Sequence, residues 1–589
     1  GILKAILSES GPSGPRASAR ERRSPELKRT GLATSLTLGL CALMGGLLFT
    51  ASETRGGLLS SEDRVQLLYS NRFVFDRRGV PLIRVMVMEG KRKVTLTAKG
   101  GLELMPAGPG GASVKGGTTW EVRVRRSKPA EVVYWTVLKR RPGSAGAWGS
   151  REIQFWKARG VKVKLFEVGS VFAVSGQVVD NRTTLVCCHP KRSLQAARRV
   201  SASMRRKYKL KTGLHAQLVK RSRGLVVARD PRTGVKVQNK GMIWFSPARG
   251  KRITVKKVEY GKGYSWHGFA DRDYWGMMYV AVDRHGKLAV VNAVPADRLL
   301  AGLVPAEIYP SGPMEALKAQ AVAARGQLLA KLGKRHLADP YLLCAAQHCQ
   351  VYSGAGKEHP RTTRAVRATR GLILMDGKGR LADTVYHSCC GGHTEDNEKV
   401  WHTSPRENLR GRPDLPDGKG FWHKHFKKGR GVHGALKRWL RRPPRSYGVR
   451  FSKNKRALYR WTVKRSAAKL TKLAGTPLGV GRVVGLEVLK RGVSGRATLL
   501  RVRGARGSAT VRGELNIRRR LGNLKSSMFL VRKVPKGSKR PHSFVFRGGG
   551  WGHGVGMCQM GAMGMAKTGK KLRQILSFYY RKSKLVRLY

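Results

Sequence analysis

Residues 303–325 read LVPAEIYPSGPMEALKAQAVAAR and open the longest helical pattern of the chain. Ala, Leu, Val and Lys dominate from Pro313 onward, with apolar residues on one face of a helix. Pro305 suits the first turn of a helix, and Gly333 suits its end. The pattern therefore predicts one long helix with Glu307 near its start.

Glu307 has two interpretations from its position alone. A carboxylate in the first turn of a helix commonly caps the helix or interacts with its dipole. Alternatively, the neighbouring Val304, Pro305, Ile308 and Pro310 shield the carboxylate from water and raise its pKa, as a general acid at neutral pH requires. The dipole at a helix start acts in the opposite direction, so these residues do not fix the net shift of the pKa.

The rest of the chain predicts a mixed fold. Short apolar runs separated by Gly- and Pro-rich turns occupy residues 71–180 and predict strands, and SLQAARRVSASMRRKY (193–208) predicts a packed helix. A basic helix on an anionic surface is the alternative for that segment. A final helix is predicted from MGAMGMAKTG to LRQILSFYY. The fold class is therefore α+β, with a β-rich region at 53–169, a small α+β insert at 170–240 and a mixed α+β region with the long central helix at 241–589.

The charge of the chain is strongly unbalanced. It carries 118 Lys and Arg against 34 Asp and Glu, a net charge of +84. Such an excess predicts attraction to polyanions, namely nucleic acid, anionic lipid or an anionic wall polymer. The basic residues are scattered along the whole chain, so they also fit a solvated basic surface without a dedicated partner. The charge alone does not choose between these.

The N-terminal segment indicates export. Residues 1–29 form a basic arm rich in Ser, Pro and Arg that is expected to be disordered, and residues 30–52 carry no charge. An apolar stretch of this length spans a bilayer, and basic residues before it keep that end in the cytoplasm. We interpret 30–52 as a transmembrane signal anchor or a signal peptide. This predicts an extracytoplasmic location in the cell envelope, which disfavours nucleic acid as a partner.

Several short motifs follow Glu307 in a fixed order. They are CQVYSG (349–354), YHSCCGGHTE (386–395), SGR (494–496), LKSSMF (524–529), GGGWGHGVGMCQMGAMGMA (548–566) and ILSFYY (575–580). Together with the Glu ahead of EALKAQAVAAR, this series resembles the SpoIID/LytB family over residues 240–589. Gly326-Gln327 departs from the family pattern, which often has Thr-Tyr there, and we expect this departure to alter helix packing.

The resemblance implies a lytic transglycosylase that cleaves peptidoglycan strands already stripped of their peptides. Glu307 would act as general acid and then as general base, giving 1,6-anhydro-muramic ends with no second carboxylate and no cofactor required for the chemistry. The LytB branch of the family is instead described as enhancing a cell-wall amidase. A non-catalytic, wall-binding amidase enhancer is therefore the alternative function.

The helix and the two glycine-rich motifs supply candidate contacts to a glycan. They are Lys318, Gln320, Arg325, His387, Ser388, Gly392, Thr394, Trp551, His553 and Gln559. We expect the glycines to let the backbone approach a sugar chain while Trp551 offers it an apolar face. His553 and Gln559 are equally suited to hydrogen bonds that hold their loop. Lys318 and Arg325 share a helix face, and Lys and Arg on helices are usually solvated. Both motifs are expected to border one cleft with Glu307.

The cysteines within the motifs suggest a metal site. Cys344, Cys349, Cys390 and Cys558 would form a tetrahedral structural zinc site if their motifs converge, and some family members carry such a Cys/His site beside the cleft. Two disulfides, or buried free thiols, are the competing interpretations. Further candidate ligands are Cys389 and His336, and His348 lies between Cys344 and Cys349.

Overall fold

The computed structural model describes residues 61–70, 74–76, 78–174, 176–261, 267–346, 348–349, 351–401, 403–416, 432–451 and 456–589. The predicted basic arm (1–29) and membrane segment (30–52) lie outside these residues. Within the described ranges, no helix is both long enough and apolar enough to cross a membrane.

The central sheet joins the N-terminal strands to the segment that leads into Glu307. Its strands in spatial order are Val74–Phe75, Pro81–Lys91, Leu288–Pro295, Met277–Val282, Met242–Pro247, Leu102–Met105 and Val114–Gly116, and Leu343–Cys344 pairs in parallel with Pro81–Lys91. Leu288–Pro295 (LAVVNAVP) is buried along nearly its whole length, as its continuous apolar run suits. The predicted regions 53–169 and 241–589 are therefore not separate, because they share one sheet.

A second sheet is built in the same interleaved way. Its order is Lys236–Lys240, Arg223–Arg229, Thr119–Lys128, Lys93–Thr97, Ile253–Tyr260 and Gly268–Tyr274. Strands from before and after the small α+β insert therefore pair with each other. Their apolar residues join those of the central sheet in one hydrophobic core.

The small α+β insert exists, but its boundaries differ from the predicted 170–240. Its sheet has the order Gly213–Lys220, Glu131–Pro142, Thr183–Lys191 and Val163–Val168, with the helices Gly146–Lys157 and Leu194–Tyr208. Val171–Val174 and Gln177–Asp180 form a separate hairpin. The insert thus begins at the strand Glu131–Pro142, earlier than predicted. Alternating apolar residues predict a strand, but they do not indicate which sheet that strand joins.

The C-terminal part contains smaller sheets and short helices. Two three-stranded sheets have the orders Arg460–Ser466, Ser543–Gly549, Phe529–Val534 and Val483–Arg491, Ala497–Gly504, Gly507–Arg512. Two strand pairs are Leu372–Asp376 with Ser583–Arg587 and Tyr386–His387 with Met557–Cys558. The remaining α-helices are Ser61–Leu68, Ala296–Glu307, Met314–Lys331, Pro360–Ala368, Asn397–Trp401, Val432–Arg441, Tyr447–Phe451, Arg456–Tyr459, Ala467–Leu470, Glu514–Arg520, Gln559–Lys567 and Leu572–Tyr579. Short 3₁₀ turns are Ala355–Lys357, Glu407–Leu409 and Thr476–Leu478, and Thr471–Gly475 forms one π turn.

The segment around Glu307 forms two helices, where one was predicted. Ala296–Glu307 contains Pro305 in its interior and ends at Glu307, and Met314–Lys331 begins after Pro313. Pro310 and Pro313 explain the break, because a proline disfavours helical geometry in the residue before it. The prediction that Glu307 lies at a helix start is therefore wrong.

The predicted final helix is also divided in two. Gln559–Lys567 and Leu572–Tyr579 are separated by a turn at Gly569, whose φ is +82°. A residue with positive φ ends a right-handed helix, and glycine adopts that conformation without a steric penalty. Gln559–Lys567 is buried along most of its length, so the first of these helices belongs to the interior.

Gly326 is expected to matter for stability. It lies in the buried helix Met314–Lys331, and an added Cβ would collide with the hydroxyl of Thr384, which donates to the Ala323 carbonyl at 2.8 Å. We expect Gly326→Ala to lower the free energy of unfolding by about 1–3 kcal/mol in urea denaturation. Gly434→Ala is the control, because an added Cβ there meets nothing within 4 Å. Equal stability of the two variants would contradict this account.

Candidate active site

Glu307 is the last residue of the helix Ala296–Glu307. The next residue is extended, and its amide donates to the Val304 carbonyl at 3.1 Å. The C-terminal end of a helix carries partial negative charge, which disfavours a second negative charge on a nearby carboxylate. The helix dipole therefore favours the neutral acid here, opposite to the effect expected from a helix start.

The surroundings of the Glu307 carboxyl raise its pKa. Burial raises the pKa of Glu307 to about 7, although the Lys331 ammonium and a hydrogen bond with Tyr386 act to lower it. Val304 and Ile308 are buried next to it in sequence, as the apolar pattern predicted, while part of Glu307 itself reaches solvent. A carboxyl with this pKa is populated in both protonation states at neutral pH, as acid–base catalysis requires.

Two buried glutamines hold the backbone at Glu307. The side-chain amide of Gln559 donates to the Glu307 carbonyl at 2.7 Å and to the Gln320 side-chain oxygen at 3.0 Å. Gln320 and Gln559 are 0% and 4% exposed. Both glutamines therefore position the Glu307 backbone, in place of the predicted contact with a glycan. For Gln559 this agrees with the alternative prediction of hydrogen bonds that hold the loop.

The two glycine-rich motifs meet beside Glu307. Tyr386 and His387 pair in parallel with Met557 and Cys558, and Cys389 and Trp551 exchange backbone hydrogen bonds of 3.0 and 2.8 Å. The segment 386–394 therefore reaches Glu307 through Tyr386, and the segment 548–566 reaches it through Gln559. The structure brings the three predicted motifs together at one place.

The motif glycines allow protein segments to pack closely, which differs from the predicted approach to a sugar. A Cβ on Gly392, whose φ is +103°, would lie 2.6 Å from the Trp439 ring. A Cβ on Gly550 would lie 2.7 Å from the Cys389 carbonyl. Gly392 is therefore enclosed by protein, so the predicted glycan contact at this position is wrong.

Thr394, His387 and Ser388 are buried as well. The Thr394 hydroxyl accepts a hydrogen bond of 2.9 Å from the Arg412 amide, and Thr394 is 2% exposed. His387 and Ser388 are also largely shielded from solvent. These three residues shape the loop, which corrects their predicted contact with substrate.

An aromatic row is left partly exposed next to this loop. The Trp401 and His553 rings are 5.0 Å apart, and the His553 and His387 rings are 5.5 Å apart. Trp551 is also partly exposed, and the Lys525 ammonium lies 5.1 Å from its ring. Burial, with smaller effects from Arg496 and Arg518, lowers the pKa of His553 to about 3, so this imidazole is neutral at physiological pH. Trp551 and His553 therefore keep the accessibility that substrate contact requires.

The four predicted zinc ligands fall into two separate groups. His336, Cys344, His348 and Cys349 form one group, with all four ligand atoms within 4.8 Å of one another. Cys390 and Cys558 belong to the second group, together with His387. The prediction of one site built from Cys344, Cys349, Cys390 and Cys558 is therefore wrong, although each of these cysteines has a metal-binding neighbour.

Distances in the first group, the His336 cluster, match a tetrahedral metal site. The Cys349 sulfur is 3.4 Å from His336 Nε2 and 3.6 Å from His348 Nδ1, and the Cys344 sulfur is 3.8 Å from His348 Nδ1. Zinc bonds to sulfur and nitrogen place such ligand atoms about 3.6 Å apart. The other nitrogen of His336 lies 3.1 Å from Asp339 Oδ2, the second contact typical of a metal-bound histidine.

Sequence reasoning misses Tyr386 and Lys331 as residues of this region, and it identifies His348 only as a neighbour of two cysteines. Tyr386 opens a quoted motif but was not singled out, and Lys331 resembles an ordinary solvated helix residue. Lys331 instead donates to the Cys349 carbonyl at 2.8 Å, and its ammonium acts to lower the pKa of Glu307. His348 was noticed between two cysteines, and that spacing was the available signal for it as a ligand.

Comparison with known families agrees with this arrangement. Residues 284–375 match the family model described as Stage II sporulation protein, and this range includes Glu307, Lys331 and the His336 cluster. This part of the chain is similar to the SpoIID family. Residues 395–556 match a second model, described as a domain of unknown function. The first matched range thus contains the Glu307 helix, and the second match begins where the 386–394 segment ends.

Three relatives share part of the chain. An uncharacterized protein of Brachyspira hyodysenteriae is 27% identical over 359 residues, 60% of this chain and 80% of its own length. The amidase enhancer of Bacillus subtilis is 27% identical over 296 residues, 48% of this chain and 39% of its own length. Stage II sporulation protein D of Bacillus subtilis is 25% identical over 312 residues, 49% of this chain and 74% of its own length. The SpoIID/LytB resemblance is thereby confirmed.

The structure does not support the predicted glycan contacts of Arg325 and Lys318. Arg325 is 0% exposed, with its guanidinium 3.0 Å from Asp297 Oδ1 and 3.1 Å from the Leu372 carbonyl. Lys318 pairs with Glu315 at 2.7 Å. It lies two residues from Gln320, a rotation of about 200° around the helix, and so faces away from Glu307.

A pair of substitutions on this helix tests these roles. Arg325→Met leaves Asp297 without its buried partner, and we expect it to lower the free energy of unfolding by about 3 kcal/mol. Lys318→Met is the control, because its pair with Glu315 is partly open to solvent, and such surface pairs contribute about 1 kcal/mol or less. Urea denaturation followed by circular dichroism measures both. A stable Arg325→Met protein with weakened glycan binding would restore the substrate-contact interpretation.

Proposed function

We propose that the protein is a lytic transglycosylase that cleaves peptidoglycan glycan strands, with Glu307 as acid and then base. The observation that carries this proposal is one partly accessible carboxyl whose pKa is raised to about 7 where three family motifs meet. The relatives named Stage II sporulation protein D and amidase enhancer support a cell-wall-related function. The family resemblance suggests strands stripped of their peptides as the substrate.

The reaction uses the two protonation states of Glu307 in turn. The neutral carboxylic acid donates its proton to the oxygen that links muramic acid to glucosamine, and the bond from the anomeric carbon to that oxygen breaks. The 6-hydroxyl of the same muramic residue then forms a bond to the anomeric carbon. Its proton passes to the Glu307 carboxylate, which restores the acid. The products are a 1,6-anhydro-muramic end and a free glucosamine hydroxyl, with no water consumed.

This mechanism needs only one carboxylate, in keeping with the other acidic residues of the region. Asp383 accepts hydrogen bonds from Gln327 at 2.6 Å and Arg406 at 2.9 Å. Glu395 is 1% exposed and accepts from backbone amides and from the Ser494 hydroxyl. Both carboxylates are engaged in holding the fold, which supports Glu307 as the proposed acid.

The aromatic row beside Glu307 suits a sugar chain. Trp401, His553 and Trp551 present partly exposed rings, and aromatic faces pack against the apolar faces of sugar rings. Lys525 adds a cation next to Trp551. A glycan lying along this row would meet the neutral His553 as a hydrogen-bonding group and Glu307 as the acid.

The His336 cluster is suited to a structural zinc ion, and we include this ion in the proposal. Two thiols and two imidazoles are the donor set that zinc prefers in structural sites. The ion would fix the segment 336–349, whose Cys349 carbonyl holds Lys331. It supplies no step of the glycan chemistry.

A second function is favoured by one of the relatives. The amidase enhancer of Bacillus subtilis matches about half of this chain. A protein of that kind would bind the wall and stimulate a partner amidase, with no need for the Glu307 carboxyl. The two functions therefore differ in what replacing this residue does.

Glu307→Gln tests the catalytic proposal. We expect it to lower the release of anhydro-muramic ends from peptide-free glycan strands by about 100-fold or more, because the amide cannot donate a proton as the acid does. Mass spectrometry of the products measures this loss. Glu315→Gln, in the first turn of the next helix, is the matched control and should keep full activity.

Two results would contradict the catalytic role. Wild type and Glu307→Gln releasing these ends equally would remove Glu307 from the chemistry. Undiminished stimulation of an amidase by Glu307→Gln, with no new chain ends from wild type, would establish the enhancer function instead.

The pH dependence of cleavage follows from the pKa of Glu307. The first step needs the protonated acid, so kcat/KM should fall as pH rises through about 7. Tyr386→Phe removes a hydrogen bond that lowers this pKa, so the falling limb should move to higher pH. Tyr589→Phe is the control, because that hydroxyl contacts Asp297 in the first turn of the same helix. A limb unmoved in Tyr386→Phe would exclude this hydrogen bond as a determinant of the pKa.

A further inference from the structure

A second group of metal-binding side chains lies next to the strand pair that holds the site. A ring nitrogen of His387 and the sulfurs of Cys390 and Cys558 lie within 4.8 Å of one another. All three residues are buried. We propose that this group, the His387 cluster, binds a zinc ion that fastens the segments 386–394 and 548–566 together, independently of the His336 cluster.

The hydrogen bonding of His387 is that of a metal ligand. Its Nδ1 lies 3.0 Å from the Val555 carbonyl, which assigns the ring proton to Nδ1. Its Nε2 therefore carries a lone pair, and this atom is buried with no hydrogen-bond partner. A buried hydrogen-bond acceptor left without a partner destabilises the folded state. Metal-bound histidines commonly donate their other ring N–H to a backbone carbonyl. An ion at Nε2 would therefore give this nitrogen a partner while Nδ1 keeps its hydrogen bond to Val555.

Both sulfurs accept hydrogen bonds from backbone amides. Amides of Cys390 and Gly561 each donate to the Cys558 sulfur at 3.2 Å, and the Gly392 amide donates to the Cys390 sulfur at 3.2 Å. Such N–H groups stabilise negative charge on sulfur. Two sulfurs and one imidazole favour zinc over a hard cation such as magnesium, which prefers oxygen ligands.

Binding of the ion requires the loss of two protons. Cys390 and Cys558 bind as thiolates, and His387 binds as a neutral imidazole, so one Zn²⁺ releases two thiol protons. The Cys390 thiol already donates to Asp414 Oδ2 at 3.3 Å, which gives its proton a local acceptor. No oxidant or reductant takes part.

A disulfide is the competing use of these thiols. Cys389, Cys390 and Cys558 are all free and buried. A disulfide from Cys558 to Cys389 or to Cys390 would consume two of these three thiols. A disulfide would leave the buried Nε2 of His387 without a partner, whereas a metal ion satisfies it. This difference favours zinc.

The position of the His387 cluster links it to Glu307. His387 follows Tyr386, and Cys558 precedes Gln559, so two of the three ligands are chain neighbours of residues that contact Glu307. Successive strand residues face opposite sides, which places the ion behind the contacts that it stabilises. The ion would therefore fix Tyr386 and Gln559 without touching the substrate.

Metal content of the full chain, purified under reducing conditions without chelators, tests this proposal. We expect about two zinc ions per chain in wild type, and about one in Cys558→Ser and in Cys344→Ser, because each variant destroys one cluster. Cys389→Ser is the matched control and should keep both ions. Elemental analysis against protein concentration measures the stoichiometry.

A second measurement avoids reliance on a variant of this cluster. Cys344→Ser protein stripped of zinc is titrated with Co²⁺, and a thiolate-to-cobalt absorption band at about one equivalent is expected from the His387 cluster. An absent band would overturn the proposal. So would equal zinc content in wild type and Cys558→Ser, loss of an ion from Cys389→Ser, or a disulfide at Cys558 in a non-reduced digest of wild type.

Discussion

The parallel pairing of Tyr386–His387 with Met557–Cys558 is the contact on which the site depends. It joins segments far apart in the chain and sets Tyr386 and Gln559 against Glu307 from two directions. Parallel strands need a long crossover between them. Here the crossover includes residues 395–556, the range of the second family match, so that part of the chain is an excursion between the two halves of the site.

Buried polar groups hold this excursion in place. Arg496 of the SGR motif is 0% exposed and donates to the Cys390 carbonyl at 3.0 Å and the His393 carbonyl at 3.2 Å. The Ser494 hydroxyl donates a hydrogen bond to the Glu395 carboxylate, which also accepts one of 3.0 Å from the Val493 amide. Buried hydrogen bonds of this kind restrict the loop to one conformation, because another conformation would leave a buried donor or acceptor without its partner. The SGR motif therefore fixes the 386–394 loop from the interior of the protein.

The glycines of the motifs serve the same constraint. At Gly392 and Gly550 a side chain would collide with an aromatic ring or a carbonyl of the facing segment. Two backbones can approach so closely only where no Cβ stands between them. A motif rich in glycine, histidine and cysteine thus becomes mostly interior, while Trp551 and His553 stay partly exposed next to Trp401.

The sequence by itself determined the α+β class, the long buried helix, the family resemblance and Glu307 as the acidic residue of interest, because local periodicity and ordered motifs are properties of the chain alone. It did not determine that Glu307 ends a helix, that Arg325 pairs with Asp297, or which cysteines lie together. Those depend on partners distant in sequence, and one spacing is compatible with many of them. Only the tertiary structure decided that the four predicted cysteine ligands belong to two clusters, since strand pairing brings Cys390 to Cys558 while a single loop brings Cys344 to Cys349.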